Sequence, residues 1–250
     1  MVLDPGHGGK DHGAVYHRGA VNLREKDLTL RIAKETELFL KSHGVDVRLT
    51  RDEDQALELS ERTGFANRLR ADIFISIHIN AMPQGTHALL NAEGPETYIL
   101  NTATDRTSRR LAHLENTVLK GSPLETQSDG PVSLILRDLI LNANLGESKK
   151  LACALQREAV RTRFPKKYAQ DHYRRGVKQS LFYVLLGADM PSVLFEAGFM
   201  NHAKDRDILT STSKRAEMAH SIGRAVLQYK DYLRGGRQPH LLDDRSCKVN

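Results

Sequence analysis

Tryptophan is absent, and phenylalanine and tyrosine together make up only 6% of the 250 residues. A stacking platform for nucleic-acid bases is therefore not expected. The formal charge of +6 comes without a long basic run. Basic residues cluster only in short pairs, such as Arg109-Arg110, Lys166-Lys167 and Arg174-Arg175, and no nucleic-acid partner is expected. No apolar stretch approaches the roughly 20 residues that cross a bilayer, so no membrane insertion is expected. The first residues lack a basic segment followed by an apolar one. The expectation is that the native chain is longer at this end than Met1. Cysteine is scarce. Cys153 falls in a helical pattern and reads as a small buried residue, and Cys247 falls in a polar tail. Neither spacing suggests a metal knuckle or a disulfide framework.

What is present reads as an α/β chain. "VLD" followed by "PGHGG" is a short strand ending in a glycine-rich loop. From Glu25 to about His43, Leu28, Ile32 and Phe39 form one apolar stripe, and Gly44 suits the end of a helix. "VDVRLT" reads as a second strand and "LSERTGFANRLR" as a second helix. "DIFISIHIN" alternates Ile73, Ile75, Ile77 and Ile79 with Phe74, Ser76, His78 and Asn80, so it has two distinct strand faces. "ETYIL" reads as an edge strand, and "SLFYVL" and "PSVLFEAGF" as two late strands. A last helix runs from Ser213 to about Leu233, with Ser213 as its cap. Strands alternating with helices imply a parallel or mainly parallel sheet. No linker or repeat interrupts the pattern. We read one domain over residues 1–234 with a helical insertion at about 105–147, followed by a polar, flexible tail over 235–250.

The unusual polar residues fall at telling places. His7 follows the first strand, Glu25 opens the first helix, and His78 and Glu196 lie near the ends of two apolar strands. Sites in open α/β sheets form beyond the carboxyl ends of the strands, where these four can meet. Two histidines and a carboxylate suit a catalytic zinc with one position left for water. A second carboxylate nearby can take that water's proton. The glycines around His7 permit a sharp turn and close approach, and Asp4 is placed to accept the second ring proton of His7. On the residues alone, a metal hydrolase stands only slightly ahead of its alternatives.

Six blocks, "VLDPGHGGKDHGA", "EKDLTLRIA", "ADIFISIHIN", "GPETYIL", "RRGVKQSLFYVL" and "MPSVLFEAGFMNH", occur in this order. In that order the chain resembles the zinc-dependent N-acetylmuramoyl-L-alanine amidases, from Val2 to about Tyr232. The resemblance implies a single domain with a mixed, mainly parallel sheet of about six strands flanked by helices. It implies one Zn2+ per chain held by His7, Glu25 and His78, with Glu196 as the catalytic carboxylate. The substrate implied is peptidoglycan, cleaved between the lactyl group of N-acetylmuramic acid and L-alanine, and the compartment implied is the periplasm. His12 and Ile79 depart from the family pattern without removing a ligand. Asn80 and Lys178 are candidate substrate or supporting residues.

The insertion resembles that of the division-associated cell-separation amidases. This implies an autoinhibited domain in which Glu115 closes the zinc's open position, and an activator protein that binds the insertion helix. Leu134, Ile135 and Leu139 are candidates for that binding face. Two other readings stay open: a peptidoglycan-binding module without turnover, and a zinc peptidase of different amide specificity.

Overall fold

The computed structural model of the protein describes residues 1–82, 92–103, 105–117, 144–164, 176–235, 247 and 249. Six strands form one sheet: β1 (Val2–Pro5), β4 (Arg48–Leu49), β5 (Phe74–Asn80), β6 (Glu96–Leu100), β7 (Lys178–Ser180) and β8 (Ser192–Phe199). Their spatial order is β4-β1-β5-β8-β6-β7. All neighbours pair in parallel except β6 and β8, which are antiparallel. The mixed, mainly parallel sheet expected from the sequence is what forms.

The alternation in β5 explains how the sheet is clothed. Ile75, Ile77 and the flanking Ile73 and Ile79 enter one core with α1 (Glu25–Ser42), α4 (Leu145–Arg163) and α6 (Thr212–Leu233). Phe74 turns the other way, into a second core with Tyr98, Phe182 and Leu194 beneath α2 (Leu59–Arg68) and α3 (Arg106–Asn116). Each fully buried Leu, Ile or Phe contributes about 1.5–3 kcal/mol, so the apolar face of each helix is what fixes it to the sheet. On α1 the expected stripe is present: Leu28 and Ile32 are buried and Phe39 is half-buried. Phe39 packs so tightly on α6 that a Cβ at Gly223 would stand 2.2 Å from its ring. The remaining helix, α5 (Ala203–Thr210), links β8 to α6.

Several sequence expectations are corrected. "ETYIL" is not an edge strand, because β6 lies between β8 and β7. "SLFYVL" is not a strand. Only Lys178–Ser180 pairs, and Tyr183–Leu185 form a 3-10 turn that tucks Val184 and Leu185 into the second core. "VDVRLT" contributes only two paired residues. Ser211, not Ser213, is the N-cap position of α6. An antiparallel hairpin of β2 (Val15–Arg18) and β3 (Val21–Arg24), which the apolar pattern does not announce, precedes α1.

The cysteines are a further correction. Cys153 in α4 is disulfide-bonded to Cys247, and both are buried. Val249 pairs with Val177 in an isolated bridge. The end of the expected flexible tail is therefore tied to the core at these two points. The second apolar helix expected in the insertion, with Leu134, Ile135 and Leu139, lies outside the described residues.

Candidate metal centre and active site

His7 leaves β1 in a left-handed backbone conformation, with φ at 60°. Gly8 and Gly9 follow, also at positive φ, and the Gly8 and Asp11 backbones bond to each other in both directions, at 3.0 and 3.1 Å. This turn brings Asp11 Oδ2 within 2.7 Å of His7 Nδ1. Asp11 therefore orients His7, and the expectation for Asp4 is corrected. The Asp4 carboxylate is fully buried and spends its oxygens elsewhere: it accepts from Thr50 Oγ1 at 2.6 Å, Ser76 Oγ at 2.7 Å and Arg62 Nη1 at 2.8 Å. Burial pushes this carboxyl up. The Arg62 charge and the two hydroxyls outweigh burial and hold it below the usual range.

Glu25, the first residue of α1, is almost wholly buried. Its Oε2 accepts from the Ala14 N–H at 2.7 Å and its Oε1 from the Ile79 N–H at 2.8 Å. The same Oε1 stands 3.1 Å from His7 Nε2 and 3.2 Å from His78 Nδ1. Burial pushes Glu25 up, but the His7 charge and both imidazole contacts pull it down to about 2. Close packing preserves this approach. A Cβ at Gly6 would stand 2.5 Å from the His78 ring, and one at Gly13 would stand 2.5 Å from the His7 ring.

Glu115, in the last turn of α3, completes the cluster. Its Oε2 lies 3.0 Å from His78 Nδ1 and 3.3 Å from His7 Nε2. One donor atom from each of His7, Glu25, His78 and Glu115 falls within 4.8 Å of the others. His7 Nε2 and Glu115 Oε2 are buried yet make no aligned hydrogen bond among the described residues. Buried polar atoms without partners are costly. These two, with Glu25 Oε1 and His78 Nδ1, converge as an N/O donor set of the type that a zinc ion satisfies.

Glu196 stands apart from these four. On β8 it is paired in register with His78 on one side and with Glu96 of β6 on the other. It is fully buried, and neither carboxylate oxygen has a hydrogen-bond partner among the described residues. Burial pushes its pKa well up, and the charges of Glu25, Glu115 and Glu96 reinforce the shift against His78. A buried carboxyl with so raised a pKa, close to a cluster of charges, is a candidate for functional chemistry.

The two other candidates meet at Glu96. Asn80 Nδ2 donates to Glu96 Oε2 at 3.3 Å, the Tyr98 hydroxyl donates to the same oxygen at 2.7 Å, and Lys178 pairs with Oε1. Asn80 and Lys178 thus hold a neighbouring carboxylate. Asp11 was missed in the sequence because its role depends on the Gly8–Gly9 turn. The signal available was an aspartate four residues after His7 across two glycines.

Beyond the strand ends of a mixed α/β sheet, two histidines and two glutamates form a cluster that could hold a metal ion. The family model described as N-acetylmuramoyl-L-alanine amidase matches residues 1–228. The chain belongs to the N-acetylmuramoyl-L-alanine amidase family. It is 34% identical over 232 residues to N-acetylmuramoyl-L-alanine amidase AmiC of Neisseria meningitidis, covering 92% of this chain and 52% of that protein. It is 29% identical to N-acetylmuramoyl-L-alanine amidase AmiA of Escherichia coli, spanning 75% of its length. The N-acetylmuramoyl-L-alanine amidase of Clostridium difficile 630 superposes with a TM-score of 0.64 at 27% identity, covering 92% of this chain and 95% of that one.

Proposed function

We propose that this chain is a zinc-dependent peptidoglycan amidase held in a self-inhibited state. The bond cleaved is the amide between the lactyl group of N-acetylmuramic acid and the L-alanine of the stem peptide. The observation that carries this reading is the convergence of His7 Nε2, Glu25 Oε1 and His78 Nδ1 beside the buried Glu196, which has no hydrogen-bond partner among the described residues. His7, Glu25 and His78 would hold one Zn2+ as resident ligands. Bound there, zinc supplies a Lewis acid for the scissile carbonyl and a positive charge that lowers the pKa of water and of nearby carboxyls.

The chain's own groups do the rest. Asp11 fixes the His7 ring so that Nδ1 is engaged and Nε2 faces the centre. The Ala14 and Ile79 N–H groups hold the Glu25 carboxylate in place. Glu196 takes the proton of the attacking water at a carboxylate oxygen and returns it to the leaving alanine nitrogen. Asn80, Tyr98 and Lys178 keep Glu96 engaged, so that a second carboxylate beside Glu196 does not compete for that proton. A module that only binds the wall has no need of a buried, unpaired carboxyl, which favours turnover.

Glu115 occupies the position that an attacking water needs. Its helix is capped by Asp105, which accepts from the Ser108 N–H at 2.9 Å, and is pinned at the far end by Asn116, which donates to the Leu181 carbonyl at 2.7 Å. Leu114, beside Glu115, is 44% exposed. An activator protein that engages the insertion at this apolar side chain would withdraw α3 and open the centre. The Cys153–Cys247 disulfide suits an oxidising compartment such as the periplasm, where the substrate lies and where daughter-cell separation takes place.

The test is elemental analysis of the purified chain and of His78→Ala, followed by product analysis on purified peptidoglycan. The expected result is about one zinc per wild-type chain, little in the variant, and release of stem peptides with a free L-alanine amine. No zinc in the wild type after incubation with it would overturn the reading, and a different cleaved amide would replace its specificity.

A further inference from the structure

The loop that carries His7 is gripped from behind by three cationic side chains. Arg51 donates from Nε to the Pro5 carbonyl at 3.0 Å and from Nη2 to the Gly6 carbonyl at 2.8 Å. Arg62 donates from Nη1 to the Pro5 carbonyl at 2.9 Å and from Nη2 to the His7 carbonyl at 2.9 Å. Lys26 Nζ donates to the Gly9 carbonyl at 2.7 Å. All three residues are buried. Arg62 and Lys26 each have a carboxylate partner, Asp4 and Asp54 respectively. Arg51 has no carboxylate at ion-pair distance among the described residues. It ends instead on carbonyls, including those of Lys26 and Glu53, and on the Thr29 hydroxyl.

This arrangement is expensive. Burying a guanidinium without an ionic partner costs several kcal/mol unless its donors are all used. A left-handed non-glycine residue adds about 1–2 kcal/mol. Both costs fall on one five-residue loop, and that loop contains the first ligand of the cluster. We propose that Arg51 and Arg62 are positioning residues of the metal centre. They clamp the carbonyls of Pro5, Gly6 and His7, hold His7 at positive φ, and so preset the direction of its Nε2 before any metal arrives. Their planar forks suit the task because Arg51 spans the adjacent carbonyls of Pro5 and Gly6 and Arg62 those of Pro5 and His7, at a fixed spacing that an ammonium does not offer. The inference rests on the metal reading above and assigns that site's affinity to residues that never touch the ion.

The experiment measures the zinc dissociation constant of the intact chain by competition with a chromophoric chelator, together with the unfolding midpoint of the metal-free protein. Arg62→Lys keeps a cation opposite Asp4 but cannot reach Asp4, Pro5 and His7 at once. It is expected to weaken zinc binding about 10–100-fold, the range seen when groups behind a ligand are removed. Ser76→Ala removes a different bond to Asp4 and leaves the loop carbonyls untouched, so it is expected to lower the midpoint while keeping zinc affinity. Equal loss of affinity in both variants, or none in Arg62→Lys, overturns the proposal. If Arg62→Lys does not fold, Arg51→Lys carries the same expectation, because Arg62 still pairs with Asp4 in that variant. A wild type that binds no zinc overturns the metal reading and this inference together. A wild type that binds, with variants that bind as well, overturns this inference alone.

Discussion

Glu115 Oε2 and His78 Nδ1 lie 3.0 Å apart, although one belongs to helix α3 and the other to strand β5 in the middle of the sheet. The contact brings a carboxylate from the last turn of α3 against His78 of β5, His7 of the turn after β1 and Glu25 at the start of α1. If this contact is inhibitory, Glu115→Ala should release stem peptides from peptidoglycan at least about tenfold faster than the wild type, equivalent to about 1.4 kcal/mol of closed-state stability. Zinc content should stay the same. Equal rates would show that α3 does not govern access.

Glu196→Gln keeps the shape of the side chain and removes its capacity to accept a proton. The expected loss in kcat is about 10²–10⁴-fold, the usual contribution of a positioned base, with the zinc content of the wild type. A variant that lost zinc instead would mark Glu196 as a ligand.

The metal-free cluster should be pH-sensitive. Burial opposes the charge of His78, but Glu115 and Glu25 outweigh it and raise its pKa from 6.5 to about 10. A pKa raised by folding adds stability that is full below 6.5 and is lost as the pH climbs through 10. In chelator, the unfolding midpoint should therefore fall across that window. Zinc affinity should rise across it, because fewer protons must be displaced from the imidazoles. A midpoint that holds steady in chelator would refute the His78–Glu115 interaction.

Reduction offers a separate test of the chain's end. The Cys153–Cys247 bond closes a separation of 94 residues. Losing such a bond costs about 2–5 kcal/mol. Reductant, or Cys247→Ser, should lower the melting midpoint by on the order of 10 °C. An unchanged midpoint would mean that the bond holds only the last few residues.

The candidate ligands were legible because each sits at a place that apolar periodicity marks: His7 after the first strand, Glu25 at the start of a helix, His78 within the isoleucine alternation. Glu196 stood out as a charge in an apolar run. Asp11, Arg51 and Arg62 were not legible, because their partners are backbone carbonyls and a ring nitrogen whose positions depend on the turn at His7–Gly9. The disulfide was hidden for a related reason: Cys153 looks like any small residue on a buried helix face until the far end of the chain returns to it. Pattern also misjudged β6, since "ETYIL" reads the same whether one neighbour or two pair with it.

Glu25 and Glu115 approach the same point from opposite poles of their helices. Glu25 is the first residue of α1, where the macrodipole is positive and favours an anion. Glu115 is in the last turn of α3, where the macrodipole is negative and opposes one. The anionic form of Glu25 is thus supported by its own helix. That of Glu115 is supported only by the cations it meets across the gap. The consequence is that the seat of α3 follows charge: the more positive charge the cluster carries, the more firmly Glu115 is held, and removing that charge weakens the hold on the end of the helix.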